Sequence, residues 1–404
     1  MKFFFPDSQD VVDPSFDFVE ERVSPTRIRN RTDYYAHELM TVLPYDGVLV
    51  SRAMVDSSRY TLAQRHRLLR DGARNFFHLG TRPLTIMGDC GAFSYFKEDA
   101  PTYTVADLIR FYSEIQVDYG LSLDHVVPIF DPRNEHPARK WRERQLLTLH
   151  LADTFLKLHN KAQETFVPIG VAQGWSPYSY AFAVDQLQRM GYAYVALGGM
   201  ASLRTTDILM VLEYIQVVRK PQTKLHVLGI SRLDCASEFT RLGVASFDST
   251  SPLRQSFKDV RDNYYTLLGT YPAIPVPQTG ANVNLLRRIQ SGEVDAEHAR
   301  ELELRCLRAF RGLGAGRSSQ QEVLTAVLDY QRLHKIGYPD SEEYSRVLRE
   351  QPWSHCCCDV CRQLGFEVIL FRGAERNKRR GFHNLFVFRQ QINQQLGNSQ
   401  VLDK

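Results

Sequence analysis

The chain has 404 residues, of which 43% are hydrophobic and 24% are charged, enough to bury one large core and an accessory unit. Its formal net charge of only +4 excludes a uniformly basic nucleic-acid binder, so any such contact must come from local patches. Seven cysteines, an odd number, argue against a disulfide scaffold and favour a reducing compartment. Apolar runs are too short for a secretion signal or a membrane span, so we expect a cytoplasmic protein without membrane contact.

From the start to about residue 268, short runs of β-branched and aromatic residues alternate with longer segments of helical periodicity. Eight strand-helix repeats in about 270 residues favour an α/β fold of the (β/α)8 TIM barrel type. An open, doubly wound sheet is the alternative. The predicted strands are Lys2–Phe5, Gly47–Ser51, Leu84–Met87, His125–Phe130, Phe166–Val171, Tyr194–Leu197, Leu225–Ile230 and Ala245–Phe247.

Helices are predicted between these strands from capping residues and apolar faces. Thr104-x-x-Asp107 is a capping box that opens an apolar-periodic stretch to Tyr119. Further amphipathic segments are predicted over 138–163, 176–190 and 205–218.

A proline-rich joint, residues 270–280, follows the predicted barrel. Polar helical segments come next, at about 283–291, 296–311 and 319–336. We therefore predict three domains: a catalytic barrel over 1–268, a helical insertion over 269–350 and a metal-binding subdomain with a C-terminal tail over 351–404. We expect the polar tail, 393–404, to be frayed.

Four of the seven cysteines fall within six residues near the C-terminus. Cys356, Cys358 and Cys361 form a C-x-C-x-x-C pattern, and His383 can supply a fourth ligand. Three thiolates and an imidazole suit a closed, structural Zn²⁺ site with no open position for a catalytic water. Cys357 is then a spare thiol, and His355 is a competing ligand. A chance cluster of buried thiols is the alternative.

Chemistry-bearing residues recur where the predicted strands end, which is the face that carries the active site in barrel enzymes. Taken alone, an aspartate there is as often a helix N-cap and a glycine pair a tight turn. Their occurrence at consecutive strand ends is harder to explain in that way. The set comprises Asp89, Phe93, Asp131, Gln173, Gly198, Gly199, Leu228 and Asp248.

This set suits a planar heterocycle with amide-like edges. Carboxylates accept hydrogen bonds from ring and amine N–H groups, an amide offers both a donor and an acceptor, and a phenylalanine ring stacks on the heterocycle. Two carboxylates facing a glycosidic bond permit double displacement, in which one attacks the anomeric carbon and the other moves the proton of the leaving group.

Several motifs together resemble the tRNA-guanine transglycosylase superfamily, over roughly residues 80–255 and 350–390. They are Asp89-Cys-Gly-Ala-Phe93, Gly170-Val-Ala-Gln-Gly174, Leu197-Gly-Gly-Met200, Phe247-Asp248 with Pro252 and Arg254 downstream, and the cysteine-histidine pattern.

The resemblance implies a role for each matched residue. Asp248 would be the nucleophile that forms a covalent glycosyl-enzyme, and Asp89 would handle protons. Asp131, Gln173 and Gly199 would hold the base edge and Phe93 would stack on it. The exchange implied needs neither ATP nor a redox cofactor.

The departures from the superfamily pattern resemble its DNA-modifying branch, the DNA 7-deazaguanine transglycosylases. Ala92 and Ser94 replace an expected glycine and glutamine, and about 107 residues separate Asp248 from Cys356. This branch implies DNA as substrate, a 7-deazaguanine such as preQ0 as incoming base, and helper proteins of a DNA-modification cluster. The alternatives are a tRNA enzyme, a non-catalytic barrel that binds nucleic acid, and a glycosidase that removes the base.

A DNA substrate requires that the target nucleotide leave the base stack to reach a barrel mouth. The densest basic run lies just before His383, and contact with DNA phosphates is one interpretation of it. A solvated, disordered loop is the other. The candidate phosphate-binding residues are Arg254, Arg372, Arg376, Lys378, Arg379 and Arg380.

Overall fold

The computed structural model describes residues 1–133, 136–258, 261–334 and 341–397. Eight parallel strands form a closed barrel in which each strand pairs with its neighbours in sequence order and the eighth pairs with the first. The predicted TIM barrel is therefore confirmed. The barrel strands are β1 (Lys2–Pro6), β2 (Gly47–Ser51), β3 (Thr85–Asp89), β4 (Tyr119–Leu121), β5 (Val167–Ala172), β6 (Tyr194–Leu197), β7 (Lys224–Val227) and β8 (Val244–Asp248).

The prediction for the fourth strand is wrong. Strand β4 is the short Tyr119–Leu121 segment, and His125–Phe130 has no regular secondary structure. Val126, Val127 and Ile129 gave the later segment a strand-like composition, but Pro128 cannot donate a hydrogen bond to a sheet ladder. The preceding helix ends at Ile115 and stops short of Tyr119, which leaves room for the true strand.

The helices around the barrel begin at capping residues that the sequence displays. Thr104 accepts a hydrogen bond from the backbone N–H of Asp107, and Ser176 caps a helix whose first residue is Pro177. The helices of the first 255 residues are α1 (Ala36–Leu39), α2 (Arg52–Val55), α3 (Leu62–Phe76), α4 (Val105–Ile115), α5 (Arg139–Ala162), α6 (Pro177–Met190), α7 (Thr205–Val218), α8 (Ala236–Arg241) and α9 (Ser251–Gln255).

The rest of the described chain is mainly helical, as predicted for the insertion. Small sheets pair β9 (Tyr264–Tyr265) with β10 (Thr270–Tyr271) and β11 (Ile274–Pro275) with β12 (Leu370–Phe371). The helices are α10 (Val283–Gln290), α11 (Ala296–Gly314), α12 (Gln320–Gln331), α13 (Ser341–Glu350), α14 (Asp359–Leu364) and α15 (Gly373–Gln395). Residues 398–404 of the tail that we expected to fray lie outside the described residues.

By spatial contact the chain divides into two units. Among the residues that the structure describes, the barrel unit comprises 1–9, 45–250 and 392–397. Its interior is filled by apolar side chains from successive strands, among them Phe4, Leu49, Met87 and Ile169. The second unit combines 10–44 with 251–391. The three consecutive domains inferred from the sequence remain a prediction. No helix among the described residues has the length and apolar character needed to cross a membrane.

Candidate active site

A cavity of about 400 Å³ lies at the C-terminal ends of the barrel strands. This volume is within the range of small-molecule sites in proteins. Its wall is built from residues that end a strand or follow one closely, as expected for a TIM barrel. They include Ser51, Asp89, Phe93, Asp124, Gln173, Gly198, Gly199, Leu228, Gly229 and Asp248.

Asp248 is the last residue of β8 and is only 7% exposed. Its Oδ1 accepts two hydrogen bonds, from the backbone N–H of Gly229 at 2.9 Å and from Nε2 of His226 at 3.2 Å. No other residue in the described part of the chain forms a hydrogen bond with Oδ2. One carboxylate oxygen is therefore held in place, and the second is available for reaction in the cavity.

Asp89 is the last residue of β3 and lines the same cavity. Burial, reinforced by the charges of Asp124 and Asp248, raises its pKa to about 7, although a hydrogen bond with Ser51 acts in the opposite direction. A carboxyl group with a pKa near neutrality is half protonated at physiological pH and can both donate and accept a proton. The two aspartates thus line one cavity, and Asp89 can exchange a proton there.

A third carboxylate, Asp124, lies three residues after β4 and is buried. Its Oδ2 accepts a hydrogen bond from Nε2 of Gln173 at 2.7 Å, and its Oδ1 accepts one from Sγ of Cys90 at 3.1 Å. Burial raises the pKa of Asp124. The Gln173 Oε1 accepts from the backbone N–H of Val127 at 3.3 Å, which fixes the orientation of the amide.

The structure does not place Asp131 in this cavity. Asp131 is exposed, and its carboxylate accepts a hydrogen bond from the backbone N–H of Arg133. Its selection followed from the misplaced fourth strand: once β4 ends at Leu121, the aspartate just beyond the strand is Asp124. Asp124 therefore takes the position at the cavity wall that the sequence interpretation gave to Asp131.

The glycine pair after β6 makes room for the amide of Gln173. A Cβ atom on Gly198 would lie 2.1 Å from Gln173 Nε2, so no larger residue fits without moving that side chain. Gly199 has a φ of 77°, a left-handed conformation that favours glycine. Phe93 also lines the cavity and the residue is 61% exposed, so its ring is available to stack on a ligand.

The basic run before His383 is not a free phosphate-binding surface. Arg376, Arg379 and Arg380 are buried within the second unit. Arg376 pairs with Glu21 at 2.7 Å and with Glu367 at 2.6 Å.

The remaining members of the run are also engaged. The guanidinium of Arg379 pairs with Glu375. That of Arg372 pairs with Glu21 and with Glu303, both at 2.5 Å. Nζ of Lys378 donates to the carbonyl of Val11 at 2.8 Å.

Arg380 donates to backbone carbonyls, and burial lowers its pKa to about 9. The phosphate interpretation of Arg372, Arg376, Lys378, Arg379 and Arg380 is therefore wrong, as is the disordered-loop alternative. Arg254 alone among the predicted phosphate-binding residues is exposed.

The cysteine-histidine pattern converges as predicted. The ligand atoms of Cys356, Cys358, Cys361 and His383 lie within 4.8 Å of one another, and each Sγ is 3.3–3.4 Å from His383 Nδ1. A tetrahedral Zn²⁺ with ordinary bond lengths separates such atoms by about 3.5 Å. His383 Nε2 donates to the carbonyl of Tyr265 at 2.8 Å, which leaves Nδ1 to the metal. The group therefore fits a zinc site.

Sequence reasoning missed three residues of the barrel site. Asp124 is recognisable only once β4 is placed correctly. His226 lies within an apolar strand, and no sequence signal separates it from a core residue. Arg59, an exposed cation at the cavity wall, lies in the segment after α2 and carries no motif.

Comparison with known proteins identifies the family. No protein-family model matches the chain. The chain is 46% identical over 401 residues to a protein of Salmonella montevideo named DNA-guanine transglycosylase, an alignment that covers 96% of this chain and 95% of the relative. Identity at that level over nearly both full lengths, with the carboxylates gathered in one barrel cavity, shows that the chain belongs to the DNA-guanine transglycosylase family within the tRNA-guanine transglycosylase superfamily.

Proposed function

We propose that this enzyme exchanges guanine in DNA for a 7-deazaguanine base, such as preQ0, by double displacement through a covalent intermediate on Asp248. The observation that carries the proposal is that Asp248 and Asp89 line one cavity together with groups suited to a base edge. The DNA-guanine transglycosylase of Salmonella montevideo supports DNA as the substrate. The choice of a 7-deazaguanine rests on the sequence resemblance.

In the first step, Oδ2 of Asp248 attacks C1′ of the target nucleotide while the C1′–N9 bond breaks and its electron pair passes to guanine. Asp89, in its protonated form, supplies the proton that the departing base requires. In the second step, Asp89 accepts the proton of the incoming base, whose N9 attacks C1′ as the Asp248–C1′ bond breaks. Two displacements retain the configuration at C1′, and protons balance over the cycle.

The base would be held by groups that are already oriented. Asp124 accepts from amine and ring N–H groups of the base, and Gln173 offers an amide beside it. The backbone N–H of Gly199 meets the base carbonyl, and Phe93 stacks on the ring. Because Asp124 is fixed by Gln173 and Cys90, the base meets a preorganised edge and little reorganisation is needed.

The target nucleotide must be extruded from a duplex at a cost of a few kcal/mol. An exposed arginine is suited to hold a flanking phosphate, and we assign Arg59 at the cavity wall to this role. Arg254, exposed in the second unit, stays a predicted phosphate-binding residue. Helper proteins of a DNA-modification cluster would assist strand opening. The Cys356, Cys358, Cys361 and His383 group would hold a structural Zn²⁺ that stabilises its own unit.

An exchange assay tests the proposal. Duplex DNA, single-stranded DNA and tRNA, each carrying labelled guanine, are incubated with the full chain and preQ0, and the released label and incorporated base are measured. We expect release from DNA coupled to preQ0 incorporation. Release from tRNA alone would assign the tRNA reaction, release without incorporation a glycosidase, and no release from any substrate a non-catalytic barrel.

A further inference from the structure

Four polar side chains form a continuous series of hydrogen bonds inside the barrel. The hydroxyl of Tyr194 lies 2.5 Å from Oγ of Ser246, which lies 2.5 Å from Nδ1 of His226. Nε2 of His226 lies 3.2 Å from Oδ1 of Asp248. His226 and Ser246 are fully buried. Burying polar groups in an apolar barrel costs free energy unless they are paired, so this hydrogen-bonded series requires an explanation beyond packing.

The direction of these hydrogen bonds follows from Tyr194, the first residue of the hydrogen-bonded series. Within the described residues, the Tyr194 hydroxyl has no other hydrogen-bond partner, so it donates to Ser246. Ser246 must then direct its own hydrogen to Nδ1 of His226. The His226 proton therefore lies on Nε2 and points at the Asp248 carboxylate. Each donor in the series has one acceptor, and the tautomer of His226 is fixed.

An irregularity in the pairing of β7 with β8 brings the members of the hydrogen-bonded series together. Leu225 pairs with Val244, but the next residue, His226, pairs with Ser246, so Ala245 is an extra residue in β8. A β-bulge of this kind changes where the following side chains point. Here the bulge places His226 of β7 opposite Ser246 of β8. Ser246 lies two residues before Asp248 on β8.

We propose that Tyr194, Ser246 and His226 form a positioning relay that holds Asp248 for attack and stabilises its carboxylate when it departs. This inference rests on the proposed function, because it assigns Asp248 as the nucleophile. None of the three residues lines the cavity, and none is required to contact the substrate.

The relay acts most strongly in the second displacement. In the glycosyl ester, Oδ1 of Asp248 is a carbonyl oxygen and accepts hydrogen bonds weakly. As the C1′–Oδ2 bond breaks, its electron pair returns to the carboxylate, and the negative charge is shared with Oδ1. Hydrogen bonds from His226 and Gly229 strengthen as this charge develops, which is the condition for stabilising a transition state. Loss of the His226 donor should therefore slow resolution of the ester.

The first test does not depend on activity. Nitrogen-15 NMR of the histidine-labelled full chain reports the tautomer of each imidazole, and the His226→Gln variant identifies the His226 signals. We expect the neutral Nε2–H form in the wild type and loss of that fixed tautomer in Ser246→Ala. An imidazolium or an Nδ1–H tautomer at His226 in the wild type would overturn the relay, whatever the reaction of the enzyme proves to be.

The second test measures formation and resolution of the covalent protein–DNA adduct with guanine-containing DNA and preQ0. We expect His226→Phe to resolve the adduct about ten- to hundredfold more slowly, so that adduct accumulates. His226→Gln should recover part of the rate because its amide N–H can reach the same oxygen. Tyr194→Phe should show a smaller slowing of the same step.

Tyr192→Phe is the matched control for Tyr194→Phe. Its buried hydroxyl donates to the carbonyl of Ala152 at 2.7 Å and belongs to no cavity or relay contact. Wild-type resolution in His226→Phe, or equal slowing in Tyr192→Phe and Tyr194→Phe, would refute the relay. Absence of any adduct in the wild type would instead refute the proposed function, and the NMR result would still decide the relay.

Discussion

Replacing Asp89 with asparagine is expected to change how the stability of the fold depends on pH. The pKa of Asp89 is raised from 3.8 to about 7 by burial and by the charges of Asp124 and Asp248. Between these pH values the unfolded chain loses the proton while the folded chain keeps it, so the wild type loses stability as pH rises. Asparagine carries no charge, and the variant escapes this loss.

The size of the effect follows from the shift of about three units at 1.36 kcal/mol per unit, which gives about 4 kcal/mol at pH above 7. Part of this difference is already present at pH 5, so the expected change between pH 5 and pH 8 is about 2–3 kcal/mol. The free energy of unfolding of the variant, relative to that of the wild type, should therefore rise by this amount between pH 5 and pH 8. A pH-independent effect of the substitution does not change this difference.

Urea denaturation of both proteins at pH 5 and pH 8 measures this quantity. Asp131→Asn is the matched control, because Asp131 is an exposed aspartate outside the cavity, and its effect should stay within about 0.5 kcal/mol. A stability difference between Asp89→Asn and the wild type that is the same at both pH values would refute the environment assigned to Asp89.

Four further predictions test other parts of the structure. Arg376→Ala should destabilise the fold by about 3–5 kcal/mol in urea denaturation, because it removes the ion-pair partner of the buried Glu367 and one of the two arginines that pair with Glu21. Arg254→Ala should leave stability unchanged. Fluorescence anisotropy should show weaker DNA binding, with a slope of log K against log salt concentration that is smaller by about one. Gly198→Ala should lower base exchange at least about tenfold with the fold intact, since the new Cβ displaces Gln173. Cys358→Ser should lose bound zinc in metal analysis and unfold at lower urea.

The barrel could be predicted from the sequence because seven of its strands are short apolar runs with clear turn or helix signals around them. Strand β4 could not, since Tyr119-Gly-Leu121 has little strand character. It is held as a strand by backbone pairing with β3 and β5, a tertiary effect. Because the fourth strand was predicted too late in the sequence, Asp131 was selected as the site residue instead of Asp124.

The role of the basic run could not be predicted from local sequence either. A cluster of arginines looks exposed when its partners are unknown, and Glu21 lies about 350 residues from Arg372 and Arg376. Burial alone would raise the pKa of Glu21, but hydrogen bonds and charges from the arginines help to lower it to about 2. By contrast, three of the four candidate metal ligands, Cys356, Cys358 and Cys361, lie within six residues of sequence, and their spacing alone indicated the site.

The central claim is that Asp248 attacks the sugar carbon. The most direct measurement is to denature the enzyme during turnover with guanine-containing DNA and preQ0, and to map the attached nucleotide by mass spectrometry. We predict an adduct on the peptide containing Asp248 in the wild type, and neither adduct nor base exchange in Asp248→Asn, which should still bind DNA. Undiminished exchange in Asp248→Asn, or an adduct on a different residue, would contradict the account.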